Sequence, residues 1–457
     1  MIKYIGSKRK LLPTILRAIR CVPNSASVLD LFSGTSRVGH MLKREGFRVL
    51  SNDHNAYAHT LARCYVQADR EYIEHAAEKL IAEFNRLAGQ PGYFTTTFCE
   101  RSRFFQPKNG ARVDAIREEI KKKSLEPELE SVLLVSLMEA ADRVDSTCGL
   151  QMAYLKQWAP RAHNDIELRM PDVLPRAKHG KSRAFQLDAH DAARELEADV
   201  AYLDPPYNQH SYLNNYHAWE SLILWDKPEV YGIACKRMDC RTRKSEFNKK
   251  RAFLPAIQQV VRDVRAKVLV VSFNNEGYIE RKEMERLLET RGEVTVLTTD
   301  YKRYVGAQIG IHNLNGEKVG TVSHLRNLEY IYIVATPALG TALELPDSEE
   351  QPASCRDQLS LFGDSPPQRP VPSAAAPGRV AAKPESTAEL TPDDLSVLLA
   401  KHKRLSNGDA QRLTGLPANE LRALFQALVS TGVAYTTGQR RGTVYHPTET
   451  TDTSLAE

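Results

Sequence analysis

Val28-Leu29-Asp30-Leu31-Phe32-Ser33-Gly34-Thr35-Ser36-Arg37-Val38-Gly39 reads as an apolar strand, a loop of small residues and the start of a helix. Small residues let the backbone come close to a bound ligand. Thr35 and Ser36 are the expected caps of the helix that runs on through Met41-Leu42. A second strand, Arg48-Val49-Leu50-Ser51-Asn52, ends in Asp53. In a strand–helix–strand unit an acid roughly twenty residues past the first strand hydrogen-bonds ribose hydroxyls. Gly-x-Gly-x-x-Gly is absent, and the loop has no glycine pattern suited to phosphates. A ligand with a ribose and no phosphates fits, which points to S-adenosylmethionine.

Farther along, Val200-Ala201-Tyr202-Leu203 reads as a buried strand that stops at Asp204-Pro205-Pro206-Tyr207. Two prolines cannot continue a β-ladder, so the strand ends in a fixed, extended turn. At the carboxyl end of an α/β strand, where such sheets place their sites, that turn offers a carboxylate, a rigid carbonyl and an aromatic face. The combination suits methyl transfer to an exocyclic amine. Asp204 and the Pro205 carbonyl would accept the two N–H bonds, and Tyr207 would stack on the base.

The order of these blocks, together with Lys3-Tyr4-Ile5-Gly6-Ser7-Lys8-Arg9-Lys10-Leu11-Leu12, resembles the Dam-like, D12-class DNA adenine-N6 methyltransferases. The resemblance covers roughly residues 1–335 in arrangement, and three motif blocks carry it. It implies a class I Rossmann-like methyltransferase sheet within α/β architecture, with S-adenosylmethionine as cofactor. By the same resemblance Tyr4, Lys8, Asp30, Phe32, Gly34, Asp53, Asp188 and Asp204 would line the cofactor site. Lys8 would lie near the cofactor's carboxylate and Asp188 near its adenine. Asp204, Pro205, Pro206 and Tyr207 would form the catalytic motif, and Lys3 would touch target DNA. The family often has Gly-Gly where this chain has Gly6-Ser7.

Residues 1–336 are expected to form the methyltransferase domain, interrupted at 65–182 by a mostly helical insertion. Ile73 to Leu87 and Leu129 to Val144 carry helix-period apolar positions. The resemblance makes the insertion a target-recognition region; the plainer reading is a helical cap. Val268 to Phe273 reads as a central strand. Val294 to Thr298 and Tyr330 to Val334 read as a closing antiparallel pair, with turn signals at Gly306, Gly310 and Asn315-Gly316 between them. Residues 337–390 hold nine prolines and read as a flexible linker. Within it, Gln358-Leu359-Ser360-Leu361-Phe362 resembles the segment by which bacterial proteins dock into the apolar groove of the sliding clamp. Residues 391–447 resemble a winged helix-turn-helix with Arg440 and Arg441 at the wing tip, a fold that binds DNA or protein.

A net charge of +5 leaves DNA binding to local patches. Lys236 to Arg251 has eight basic residues against two acids and is either a solvated face or a phosphate contact. Tyr212, Tyr216, His217 and Trp219 follow the catalytic motif and suit packing of a loop onto the sheet better than base stacking. Seven scattered cysteines and thirteen histidines form no ligand pattern, so neither disulfides nor metal are expected. No signal-like or membrane-spanning run occurs, which predicts a cytoplasmic protein. The activity expected is transfer of methyl to adenine N6 in double-stranded DNA, with a cognate restriction endonuclease as a partner. The rivals are cytosine-N4 or RNA adenine methylation, and a DNA-binding regulator on an inactive methyltransferase fold.

Overall fold

The structure is a computed structural model that describes residues 1–152, 154–155, 157–302, 311–312, 318–320, 326–335, 392–402, 405–414, 418–431, 433–437 and 444–448. The chain divides into two units, Met1–Pro352 and Ala353–Glu457.

The first unit is built on a seven-stranded sheet. Its strands in chain order are β1 (Ser27–Asp30), β2 (Arg48–Asn52), β3 (Arg183–Phe185), β4 (Glu197–Leu203), β5 (Arg265–Asn274), β6 (Glu293–Lys302) and β7 (Arg326–Ala335). They lie side by side as β3-β2-β1-β4-β5-β7-β6. The first five are parallel, and β7 runs antiparallel to both β5 and β6. This mixed α/β sheet fits a Rossmann-like methyltransferase.

Alternation along the strands explains two apolar layers. Val28, Val200, Tyr202, Val268, Val270, Ile331 and Ile333 join one core, with Ile15, Leu42 and Tyr57 from covering helices. Leu29, Leu31, Leu203, Leu269, Val271 and Tyr332 join the other, with Ala192, Ile257 and Leu287. The crossover helix Arg37–Arg44 after β1 packs in the first core and the helix Lys250–Asp263 leading to β5 packs in the second, so the crevice between the carboxyl ends of β1 and β4 is the sheet's switch point.

Residues 65–182 contain the helices Arg70–Asn85, Pro107–Lys122 and Pro127–Arg143, the last two started by proline in the first turn. The middle helix has no clear apolar stripe because it buries Asn109, Asp114 and Arg117. Arg117 donates to the carbonyls of Leu222 and Ile223 at 2.8 and 2.9 Å, closing the end of the helix His217–Leu224. Phe84, Phe94, Phe98, Phe104 and Phe105 are buried in the same core as the sheet face, so the insertion extends that core. Among the turn signals after β6, residues 311–312 and 318–320 pair antiparallel; Gly306, Gly310 and Asn315-Gly316 lie outside the described residues.

The second unit has helices Pro392–His402, Asn407–Thr414 and Ala418–Ser430 and a three-stranded antiparallel sheet. Its core is Leu395, Leu399, Leu421, Phe425 and Tyr445, the last two stacked at 3.9 Å. The linker, Gln358 to Phe362, Arg440 and Arg441 lie outside the described residues. Among the described residues no helix is long and apolar enough to cross a membrane.

Candidate active site

A cavity of about 570 Å³ opens at the carboxyl ends of β1 and β4. Tyr4, Lys8, Asp30, Phe32, Gly34, Asp53, Asp188, Asp204 and Pro206 all line it. The loop after β1 is held from two sides. Asp53 accepts the Gly34 N–H at 3.1 Å through one oxygen and the Asn55 N–H at 2.9 Å through the other. Gly34 adopts φ +49, and a Cβ there would meet the Tyr4 hydroxyl at 3.4 Å. Ser36 stands at the helix N-cap, but at φ 59 its side chain caps nothing. The expected Ser36 cap is thus corrected: a left-handed turn replaces the extended geometry a side-chain cap needs.

Asp30 is 1 % exposed, and its Oδ2 has no hydrogen-bond partner among the described residues. Burial, then the nearby Asp204 carboxylate, pushes the Asp30 carboxyl up to about 8. Asp188 accepts the His190 N–H at 2.9 Å at the start of the helix Ala189–Glu195. Beside it, Phe247 packs edge-on to Phe32 at 5.1 Å and stacks with His190 at 5.9 Å.

Tyr4 lies between Tyr212 and Tyr216, with ring centroids 5.1 and 4.6 Å away. The Ile5 N–H donates to the Tyr216 hydroxyl at 2.7 Å. Ser7 sits at φ −56, a backbone conformation that suits a serine. Lys8 is 7 % exposed, and its Nζ lies 3.1 Å from Asp204 Oδ1 and 3.4 Å from Glu329 Oε2. Burial raises the Asp204 carboxyl most, Lys8 lowers it and Glu329 raises it, leaving it at about 6. Pro205 is buried. Tyr207 packs edge-on to Phe273 at 5.3 Å, and its hydroxyl accepts from Asn274 at 2.8 Å.

Lys3 lies apart from this cavity. Its Nζ pairs with Asp145 at 2.8 Å and also donates to the Asp142 carbonyl. The basic run is mixed in character. Arg237 is buried between Asp226 and Asp239, and Arg243 pairs with Glu220 and Asp239 at the cavity's edge. Arg241, Lys244, Lys249, Lys250 and Arg251 are exposed. Glu220 also accepts the N–H groups of Ala56 and Tyr57, holding the start of the helix Ala56–Ala62. Among the described residues no group of three or more acidic, histidine or cysteine side chains could hold a metal.

The sequence profile of the D12 class N6 adenine-specific DNA methyltransferases matches residues 4–286. The chain belongs to that family. Its relatives include the type II methyltransferase M.FokI of Planomicrobium okeanokoites, 31 % identical over 312 residues, covering 64 % of this chain and 47 % of that one. The modification methylase StsI of Streptococcus sanguinis is 29 % identical over 321 residues, 66 % of this chain and 48 % of that one. This D12-class chain thus spans about half the length of those two relatives. The type II methyltransferase M.NlaIII of Neisseria lactamica is 28 % identical over 338 residues, 71 % of this chain and 98 % of that one.

Sequence reasoning did not assign Glu329, Phe247 or His190 to the site, and it read Tyr212 as packing. Glu329 carried one signal, a carboxylate opening the apolar run Tyr330-Ile331-Tyr332-Ile333-Val334.

Proposed function

We propose that this protein is a site-specific DNA methyltransferase that moves a methyl group from S-adenosylmethionine to N6 of adenine in duplex DNA. The observation that carries this reading is that Asp204 opens into the same cavity as Asp30, Gly34 and Asp53. The residues fit the cofactor. Gly34 leaves space that a Cβ would fill, Asp30 presents a buried oxygen with no partner among the described residues, and Phe32 and Phe247 offer apolar walls. When bound, S-adenosylmethionine supplies an electrophilic methyl group.

The chain's own residues do the rest. A duplex hides the adenine amine, so the base is extruded and stacks against Tyr207. Asp204 and the Pro205 carbonyl accept the two N–H bonds and aim the nitrogen lone pair, positioning being the main demand. Asp204 stabilises the positive charge developing on nitrogen and then takes the proton. Sequencing that reports modified bases, in host DNA with and without this protein, is expected to show N6-methyladenine at one short sequence. DNA that is identical in both cases would sink the reading.

Asp53 contacts the cofactor's ribose in this proposal while it holds Gly34. Asp53→Ala is expected to weaken S-adenosylmethionine binding by about tenfold or more, since hydrogen bonds to charged groups contribute ~1.5–3 kcal/mol. DNA affinity should hardly change. Calorimetry with unchanged cofactor affinity would remove Asp53 from the site.

The second unit is proposed to be a winged helix that contacts DNA, with Arg440 and Arg441 on its wing and Lys3 as a further DNA contact. A cognate restriction endonuclease is the proposed functional partner, since the relatives named above are type II and modification methylases. Gln358 to Phe362 is proposed to dock on the sliding clamp, with Leu361 and Phe362 as anchors. The joint change of Leu361 and Phe362 to Ala should abolish clamp capture and leave methylation of short oligonucleotides untouched. Equal capture of both proteins by purified clamp would reject the docking.

A further inference from the structure

We propose that Glu329 is a positioning residue of the methyl-transfer site, the buried counter-anion that holds Lys8 when the target amine takes its place at Asp204, and that holds Tyr207 through Asn274. The inference rests on the methyltransferase reading above and deepens it. Glu329 lies on β7, beyond the stretch matched by the family profile, which ends at residue 286.

The antiparallel register sets Glu329 directly opposite Asn274 at the end of β5. Glu329 is 2 % exposed. One of its oxygens lies 3.4 Å from Lys8 Nζ, and the other accepts from Asn274 Nδ2 at 3.4 Å. That same Asn274 nitrogen donates to the Tyr207 hydroxyl at 2.8 Å. Both ends of Asp204-Pro205-Pro206-Tyr207 are thereby tied to one carboxylate, the first through Lys8 and the last through Asn274.

The charge arrangement gives this tie a purpose. A buried ammonium with a single carboxylate partner stays on that partner, since leaving would strand both charges. Among the described residues Lys8 has two carboxylate partners, at 3.1 and 3.4 Å. When the target amine approaches Asp204, Lys8 can yield hydrogen-bonding capacity there and remain paired with Glu329. Without the Glu329 charge, Lys8 competes with the amine for Asp204. The other titratable groups that act on Asp204 or are acted on by it are Asp30 from β1, Tyr202 from β4, and Tyr207 and Tyr212 from the segment after it. Glu329 raises the Asp204 carboxyl and Lys8 lowers it, so removal of each should move Asp204 in opposite directions.

The test is the pH dependence of kcat for the full chain, with labelled S-adenosylmethionine and unmethylated plasmid DNA. Glu329→Gln should lower the plateau kcat by about tenfold or more, the scale of one hydrogen bond to a charged group. Its acid limb should move to lower pH, while the KM for the cofactor stays near the wild-type value. Glu329→Asp keeps the charge and should keep the wild-type limb. Lys8→Gln should move the limb to higher pH. A limb that does not move in Glu329→Gln, whatever happens to kcat, overturns the inference, because a merely structural role would lower the rate without shifting the limb. Should Glu329→Gln not fold, Lys8→Gln decides, and an unmoved limb there overturns it too. A wild-type protein that transfers no methyl overturns the methyltransferase reading itself and this inference with it.

Discussion

Asp204→Ala is expected to lose methyl transfer by about 10²–10⁴-fold, the range for removal of a positioned acid–base group. The fold should survive, because Asp204 follows β4 and its side chain is 20 % exposed, unlike the sheet residues beneath it. The wild-type rate should also report its ionisation. In the proposed mechanism the unprotonated carboxylate is the species that accepts one amine N–H bond and later the proton. Its carboxyl titrates at about 6, held up chiefly by burial. Single-turnover rates should therefore be full above that pH and fall as pH drops through it. A rate that instead rose toward acid would contradict the role given to Asp204.

Asp69→Ala is expected to cost about 3–5 kcal/mol of stability, the effect of stranding one member of a buried ion pair. Lys43 has a side chain with no exposure, and its Nζ lies 2.9 Å from Asp69, which is itself 1 % exposed. Asp69 also pairs with Lys181 at 3.2 Å, and Lys181 with Glu128 at 2.9 Å. The cluster fastens the helix Arg37–Arg44 to the start of the insertion. Burial already lowers Lys43's hold on its proton, against the pull of Asp69. Denaturant unfolding should show the loss, and the double change of Lys43 to Met and Asp69 to Leu should restore much of it, since a buried pair often exchanges for apolar residues at little cost. A loss under about 1 kcal/mol, typical of an exposed pair, would contradict this account of the cluster.

The parts of the site that could be read from sequence are local. A strand that stops at two prolines, or a small-residue loop between a strand and a helix, announces its geometry within a dozen positions, and both lie at the cavity. The family was legible for the same reason. Glu329 and Phe247 were not, because long-range packing brings them in. Glu329 reaches Lys8 only because β7 inserts between β5 and β6, across 321 residues of chain. Phe247 arrives from the basic run, where charge masked a single aromatic. The helix Pro107–Lys122 escaped periodicity because its buried face carries Asn109, Asp114 and Arg117, polar residues satisfied by the insertion itself and by the end of the helix His217–Leu224. Ser36 resembled a cap in sequence, and only the positive φ shows that it does not act as one.

In the proposed function the cavity around Asp204 directs a methyl group to adenine N6. The most direct measurement is single-turnover transfer of labelled methyl from S-adenosylmethionine to unmethylated duplex DNA, followed by digestion to nucleosides and mass spectrometry. Label in N6-methyladenine with the wild type, and its loss with Asp204→Ala, is the predicted result. Label in N4-methylcytosine, or equal labelling by the two proteins, would contradict it.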